Sequence, residues 1–199
     1  RCDRRRSSND GELPLNTGNT AGSWGLTIRI LHWSMAVLFS LQLLLGWIAE
    51  QMTRSPAKID VMTGHKSLGI SLLVLTIFRL LWRLKHPAPP DPEGSQPWQI
   101  RLSRLSHALL YCLMFALPLS GWLAASTSIV PSKLWWILPL PRLAAPDPGL
   151  HEWAEAAHSL LIWAFVGLLA VHIAAALKHH FIERNDVLLR MLKGGRKND

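Results

Sequence analysis

The chain has 199 residues, a formal net charge of +8, 49% hydrophobic residues and only 17% charged ones. The charged residues crowd into tails and loops and leave four apolar runs, roughly 26–49, 61–84, 102–125 and 154–177. Each run is long enough to cross a hydrocarbon core about 30 Å thick. This distribution excludes a soluble globular domain, and it sets the surplus positive charge beside lipid headgroups rather than nucleic acid. The expected fold is all-α, an integral membrane four-helix bundle occupying residues 24–182.

Taken in order, residues 1–23 are rich in Arg, Ser, Asn and Gly and read as a disordered tail. The first apolar run is too long for a cleaved leader and has no small-residue cleavage site. Trp24 stands at its start as an interfacial anchor, Arg29 lies close to the headgroups, and His32 sits about two turns in. The second run opens on His65 and Gly69 and closes on Arg79 and Arg83, before a stiff proline-rich connector. The third contains His107, Cys112, Gly121 and Pro118, where a missing N–H predicts a kink. A loop over 126–150 with paired tryptophans and five prolines reads as a lid on the membrane surface. The fourth run carries His158 and His172, then His179 at its end. Residues 183–199 read as an amphipathic tail along the opposite, cytoplasmic surface. Fourteen basic residues fall in the two tails and the proline-rich connector, against five in the loops of the other side. That asymmetry places both termini in the cytoplasm.

The chemistry lies in one spacing. His158 and His172 are fourteen residues apart, which in a helix is roughly 21 Å of rise with both side chains within about 40° of one face. One helix thus offers an imidazole near each side of the bilayer. A lone imidazole in an apolar helix is commonly a satisfied core residue, but inside a membrane ionisable groups are costly and tend to be functional. Partners exist at matching depths. His65 matches His158 at the outer level, while His32 and His107 both match His172 at the inner level. Two haems stacked across a membrane need such imidazole pairs as axial iron ligands. At the inner level three histidines compete for two axial positions. The same fourteen-residue step places Gly46 after His32 and Gly121 after His107, leaving side-chain-free backbone where a macrocycle lies flat. Gly69, one turn after His65, leaves similar room. It also places Arg79 after His65, at inner depth, where a guanidinium can hold a haem propionate. Cys2 and Cys112 form no C-x-x-C-H attachment motif, so the haem is expected to be non-covalent, b-type.

The segments RILHW, HKSLGISLLVLTIFRLLWRLKHPAPP, HALLYCLMFALPLSG and VHIAAALKHHF, in that order, resemble the prokaryotic cytochrome b561 family. The resemblance spans about residues 24–193. It implies a four-helix bundle in the bacterial inner membrane with two haem b groups, held by His32 with His172 and by His65 with His158, and it ranks His107 as a non-ligand. It further implies electron transfer between a periplasmic donor and membrane quinone, with superoxide oxidation coupled to ubiquinone reduction as the best-understood activity. His179 and Arg29, near the inner headgroups, are then the candidate quinone contacts. Two other readings fit the sequence less closely. One is a cytochrome b subunit serving a partner dehydrogenase or hydrogenase. The other is a metal transporter, which the fourteen-residue spacing disfavours because metal–nitrogen bonds are only about 2 Å long.

Overall fold

A computed structural model of the chain describes residues 23–91 and 95–193. The expected N-terminal tail, apart from Ser23, and the last six residues lie outside the described part. Four long helices form: α1 (Leu26–Gln51), α2 (Pro56–Lys85), α3 (Pro97–Thr127) and α4 (Pro148–Phe181). Each is long and apolar enough to cross a membrane. A short α5 (Val187–Leu192) follows.

Three of the long helices begin several residues before their apolar run, for a local reason. Ser55 caps α2 by accepting from the Lys58 N–H, and Asp147 caps α4 by accepting from the Leu150 N–H. Gln96 and Gln99 form a reciprocal capping pair at α3. Each of these helices has proline in its first turn, where the missing N–H has no intrahelical partner to lose. α3 continues through Pro118 without interruption.

α1 packs along α2, α2 on α3, and α3 along α4. The buried core draws on all four helices: Met35 and Phe39, Leu68 and Leu72, Leu110 and Leu117, and Phe165. In every helix these residues lie between two positions fourteen apart, a histidine and a second histidine, an arginine or a glycine, so the core is an apolar plug at mid-depth. Phe39 and Phe165 meet at its centre, ring centroids 5.3 Å apart. Most of the remaining large apolar side chains face outward, as lipid requires.

Two glycines let α1 and α3 approach the neighbouring rings. A Cβ on Gly46 would lie 2.9 Å from His65 Cε1, and one on Gly121 would lie 3.1 Å from His158 Cε1. Gly46 therefore stands at the depth of the His65 level, as the spacing predicts, but an imidazole edge fills the room beside it. Gly69 likewise faces the Gln42 amide, 3.2 Å from where its Cβ would be.

The loop after α3 folds back as a hairpin, Lys133–Leu134 against Leu138–Pro139. Its turn places Trp135 and Trp136 at φ 48° and 61°, left-handed backbone that bulky residues avoid. Bonds to α2 offset that strain. The Trp135 N–H donates to Ser67 Oγ (2.7 Å), the Trp136 indole donates to Asp60 (3.1 Å), and Lys66 donates to Ser132 Oγ (3.0 Å). The expected surface lid is thus tied to the turns of α2 that carry His65.

At the opposite end, α5 folds under the bundle. The last turn of a helix leaves carbonyls without partners. Here Arg29 donates to the Leu192 carbonyl (2.5 Å) and the Trp33 indole to the Met191 carbonyl (3.1 Å). Arg190 reaches the Pro90 carbonyl of the connector (3.0 Å). Glu183 joins Gln99, Lys178 and His179, and its hydrogen bond from Lys178 holds its carboxyl below the usual carboxylate range. This junction should therefore survive mild acidification and loosen only as pH falls through that lowered value.

Two predictions follow from this packing. Gly46→Ala and Gly121→Ala should each cost about 1–3 kcal/mol through forced ring displacement. Gly167→Ala, where a Cβ meets nothing within 4 Å, should be neutral or stabilising by up to about 1 kcal/mol. Thermal melting of the purified protein in detergent reads all three. Arg29→Leu should weaken the docking of α5 by about 1 kcal/mol, which raises the undocked population about five-fold. Tryptic cleavage at the exposed Arg184 should accelerate by that factor.

Candidate functional site

The sequence-predicted histidines gather at two levels of the bundle, one on each side of the apolar plug. At the hairpin end, His65 of α2 and His158 of α4 lie 6.4 Å apart, centroid to centroid, with planes at 88°. At the end that carries α5, His32 of α1 and His172 of α4 lie 6.3 Å apart at 71°. His107 of α3 stands 5.4 Å from the same His172 ring. Two imidazoles on one iron have metal–nitrogen bonds of about 2 Å each, and a ring centre lies about 1 Å behind its nitrogen, so their centroids are roughly 6 Å apart. The pairs at 6.3 and 6.4 Å fit that span; 5.4 Å is short of it. Among the described residues no three His, Cys, Asp or Glu side chains are grouped to surround a bare metal ion. Two-imidazole sites suit an iron whose other positions are already filled by a macrocycle.

Hydrogen bonds distinguish the two levels. His65 Nδ1 faces the Gln42 main-chain carbonyl at 3.2 Å, and His65 Nε2 faces the Gln42 amide nitrogen, also at 3.2 Å. That amide donates to the His65 carbonyl as well (3.0 Å), while Gln42 Oε1 is buried with no partner among the described residues. His158 Nδ1 lies 2.9 Å from Ser120 Oγ, whose own proton goes to the Leu117 carbonyl (2.9 Å). At the α5 end a cation takes the place of these neutral groups. Arg79 Nη2 lies 3.0 Å from His32 Nδ1, and Arg79 Nε donates to the Tyr111 hydroxyl at 3.2 Å. Arg83 lies over the Tyr111 ring, 5.5 Å from its centroid. Arg79 is thus at the depth that the fourteen-residue step from His65 predicts.

The two remaining candidates are engaged in the junction beneath the bundle. His179 Nδ1 is 2.6 Å from Glu183 and 2.8 Å from Asn185. Arg29 is bonded to the Leu192 carbonyl, and its buried Nε has no partner among the described residues. His151 faces Ala124, Thr127 and Glu155, above the hairpin-end level.

Sequence reading missed Gln42, Ser120 and Tyr111. Each had a signal. Gln42 is the polar interruption of an apolar run, Ser120 precedes a glycine already singled out, and Tyr111, the chain's one tyrosine, lies one turn after His107.

Comparison with known proteins agrees with this architecture. The family model described as prokaryotic cytochrome b561 matches residues 23–194. Cytochrome b561 homolog 2 of Escherichia coli (strain K12) is 34% identical over 176 residues, 87% of this chain and 93% of that protein. The probable superoxide oxidase CybB of Yersinia pestis is 32% identical over 128 residues, 64% of this chain and 72% of that protein. Cytochrome b561 homolog 1 of Escherichia coli is 29% identical over 177 residues, 81% and 92% respectively. The chain belongs to the prokaryotic cytochrome b561 family, and is a multi-pass electron-transfer protein of the bacterial inner membrane whose family cofactor is b-type haem.

Proposed function

We propose that the chain binds two haem b groups, one at each imidazole level, and passes electrons from a small donor at the hairpin end to ubiquinone at the α5 end, with superoxide as the donor. The observation that carries this reading is the pair of imidazole couples, 6.4 and 6.3 Å apart, on either side of an apolar plug. The similarity to a probable superoxide oxidase supports the choice of donor. The excess of basic residues at the α5 end supports a cytoplasmic location for both termini, and so a periplasmic hairpin.

In this reading His65 and His158 hold the outer haem, and His32 and His172 the inner one. Haem supplies the one-electron redox chemistry. The chain supplies ligands, exclusion of water by Phe39, Phe165 and the surrounding leucines, and a guanidinium for a propionate. That last role falls to Arg79. A guanidinium only donates, so beside His32 Nδ1 it requires that nitrogen to be bare. Ligation through Nε2 requires the proton on Nδ1, so Arg79 must release His32 and take a carboxylate instead. Lys58, Lys66 and Lys133 lie at the hairpin end and would draw an anionic donor. Two superoxide ions each lose one electron to become dioxygen; ubiquinone gains two electrons and two protons to become ubiquinol. At the α5 end, Arg29 Nε, without a partner among the described residues, is a donor for a quinone oxygen, and His179, hydrogen-bonded to Glu183, is placed to deliver a proton.

The experiment is haem quantitation beside superoxide-driven ubiquinone reduction in the purified protein. His65→Ala and His32→Ala should each lose about half of the haem and at least about 90% of the activity, because each breaks the only relay. His107→Ala should keep both haems. Arg79→Leu should disturb the inner haem alone. A full haem complement in His32→Ala with loss in His107→Ala would make α3 the ligand helix, and wild-type protein without haem would overturn the reading.

A further inference from the structure

The bonds around His65 assign its tautomer twice over. The Gln42 side-chain group beside the His65 main-chain carbonyl must be its NH2, since a carbonyl only accepts. The nitrogen of the ring that faces this NH2, Nε2, must therefore be bare. Independently, Nδ1 faces the Gln42 main-chain carbonyl and must carry the proton. Both constraints give the same form, Nδ1–H with the lone pair on Nε2. His158 follows the same rule. Ser120 gives its only proton to the Leu117 carbonyl, so its oxygen accepts from His158 Nδ1, and Nε2 is again bare. At the other level His32 Nδ1 faces only a donor.

We propose that Gln42 and Ser120 are the positioning residues of the hairpin-end imidazole pair, holding His65 and His158 in the tautomer whose Nε2 takes a metal, so that this level is set for haem before the other. The proposal rests on the reading of His65 and His158 as ligands. Gln42 acts at two points. Its main-chain carbonyl fixes the Nδ1 proton and the ring plane. Its amide bond to the His65 carbonyl does not involve the ring, so it holds α1 against α2 whatever the ring binds. A metal at Nε2 displaces only the second amide N–H from that lone pair and leaves the bond to the His65 carbonyl in place. The notch that admits the amide is made by Gly69, where a Cβ would come within 3.2 Å of it. A hydrogen bond from the far nitrogen of a ligating imidazole also raises the basicity of that ligand, and its loss typically costs 10–100-fold in metal affinity.

The test uses full-length protein purified from cells grown with limiting haem, with His65→Ala as reference. Gln42→Met keeps length and apolar volume and removes both donors. Haem per chain and a redox titration are read together. Loss of the amide tie to the His65 carbonyl lets the main-chain acceptor on α1 move off Nδ1–H, so the hairpin-end haem of Gln42→Met should fall in occupancy, its affinity about ten-fold lower, while the other redox wave stays in place. Ser120→Ala, a second variant on a different helix, should move the same wave to higher potential, because a weaker pull on Nδ1–H leaves the imidazole less electron-rich. Gln42→Met and Ser120→Ala proteins with both waves and both haems unchanged, while His65→Ala loses half its haem, would overturn the proposal and leave the ligand reading intact. Full haem in His65→Ala would overturn both.

Discussion

Polar groups inside hydrocarbon must find partners inside the protein, and this chain confines its intramembrane imidazoles and the Arg79 guanidinium to two depths. Each of the four long helices places its two critical positions fourteen residues apart: 32 and 46, 65 and 79, 107 and 121, 158 and 172. Fourteen residues is close to four turns, so each helix returns to the same face after roughly 21 Å. Between those depths every helix contributes apolar residues, and Phe165 lies midway between His158 and His172. The bundle is therefore layered: a polar level, an apolar plug and a second polar level. The fold is held by the plug, while the levels are held by bonds between helices.

The two levels are not equivalent. The hairpin-end pair is bounded by neutral hydrogen-bonding groups and by glycine backbones that admit the edges of the rings. The α5-end level contains a third histidine, a guanidinium and a tyrosine hydroxyl. A cation near a redox centre favours its reduced, less positive form. In the proposed reading this asymmetry favours flow from the hairpin end toward the α5 end. The surrounding segments match that division. The Trp-Trp hairpin braces the turns of α2 around His65, and α5 closes the other end through Arg29, Trp33 and Arg190.

Much of this was legible because helix periodicity turns sequence distance into depth and face without any tertiary information. The matching of His65 with His158 and the depth of Arg79 and Gly46 came from that arithmetic, which left His32 and His107 both facing His172; the family resemblance ranked His32 first. What the arithmetic could not decide was which groups meet across helices. Glycines 46 and 121 read as room for a macrocycle, yet the rings beside them belong to His65 and His158. Gln42 reads as a tolerated polar residue until α2 brings His65 against it. Arg29 reads as a headgroup contact, because the carbonyl that binds it lies 163 positions later in sequence. Helix starts were placed late for a different reason: hydropathy marks where a helix becomes apolar, whereas Ser55, Gln96 and Asp147 mark where it begins.

The central claim is that each imidazole couple holds one iron from both sides. Electron paramagnetic resonance of the oxidised wild-type protein, with haem quantified on the same sample, tests it most directly. Two low-spin ferric signals of equal weight, with two haems per chain, are the expected result. A high-spin signal, or a single haem per chain, would mean that one level does not bind iron through two histidines, and would contradict the account.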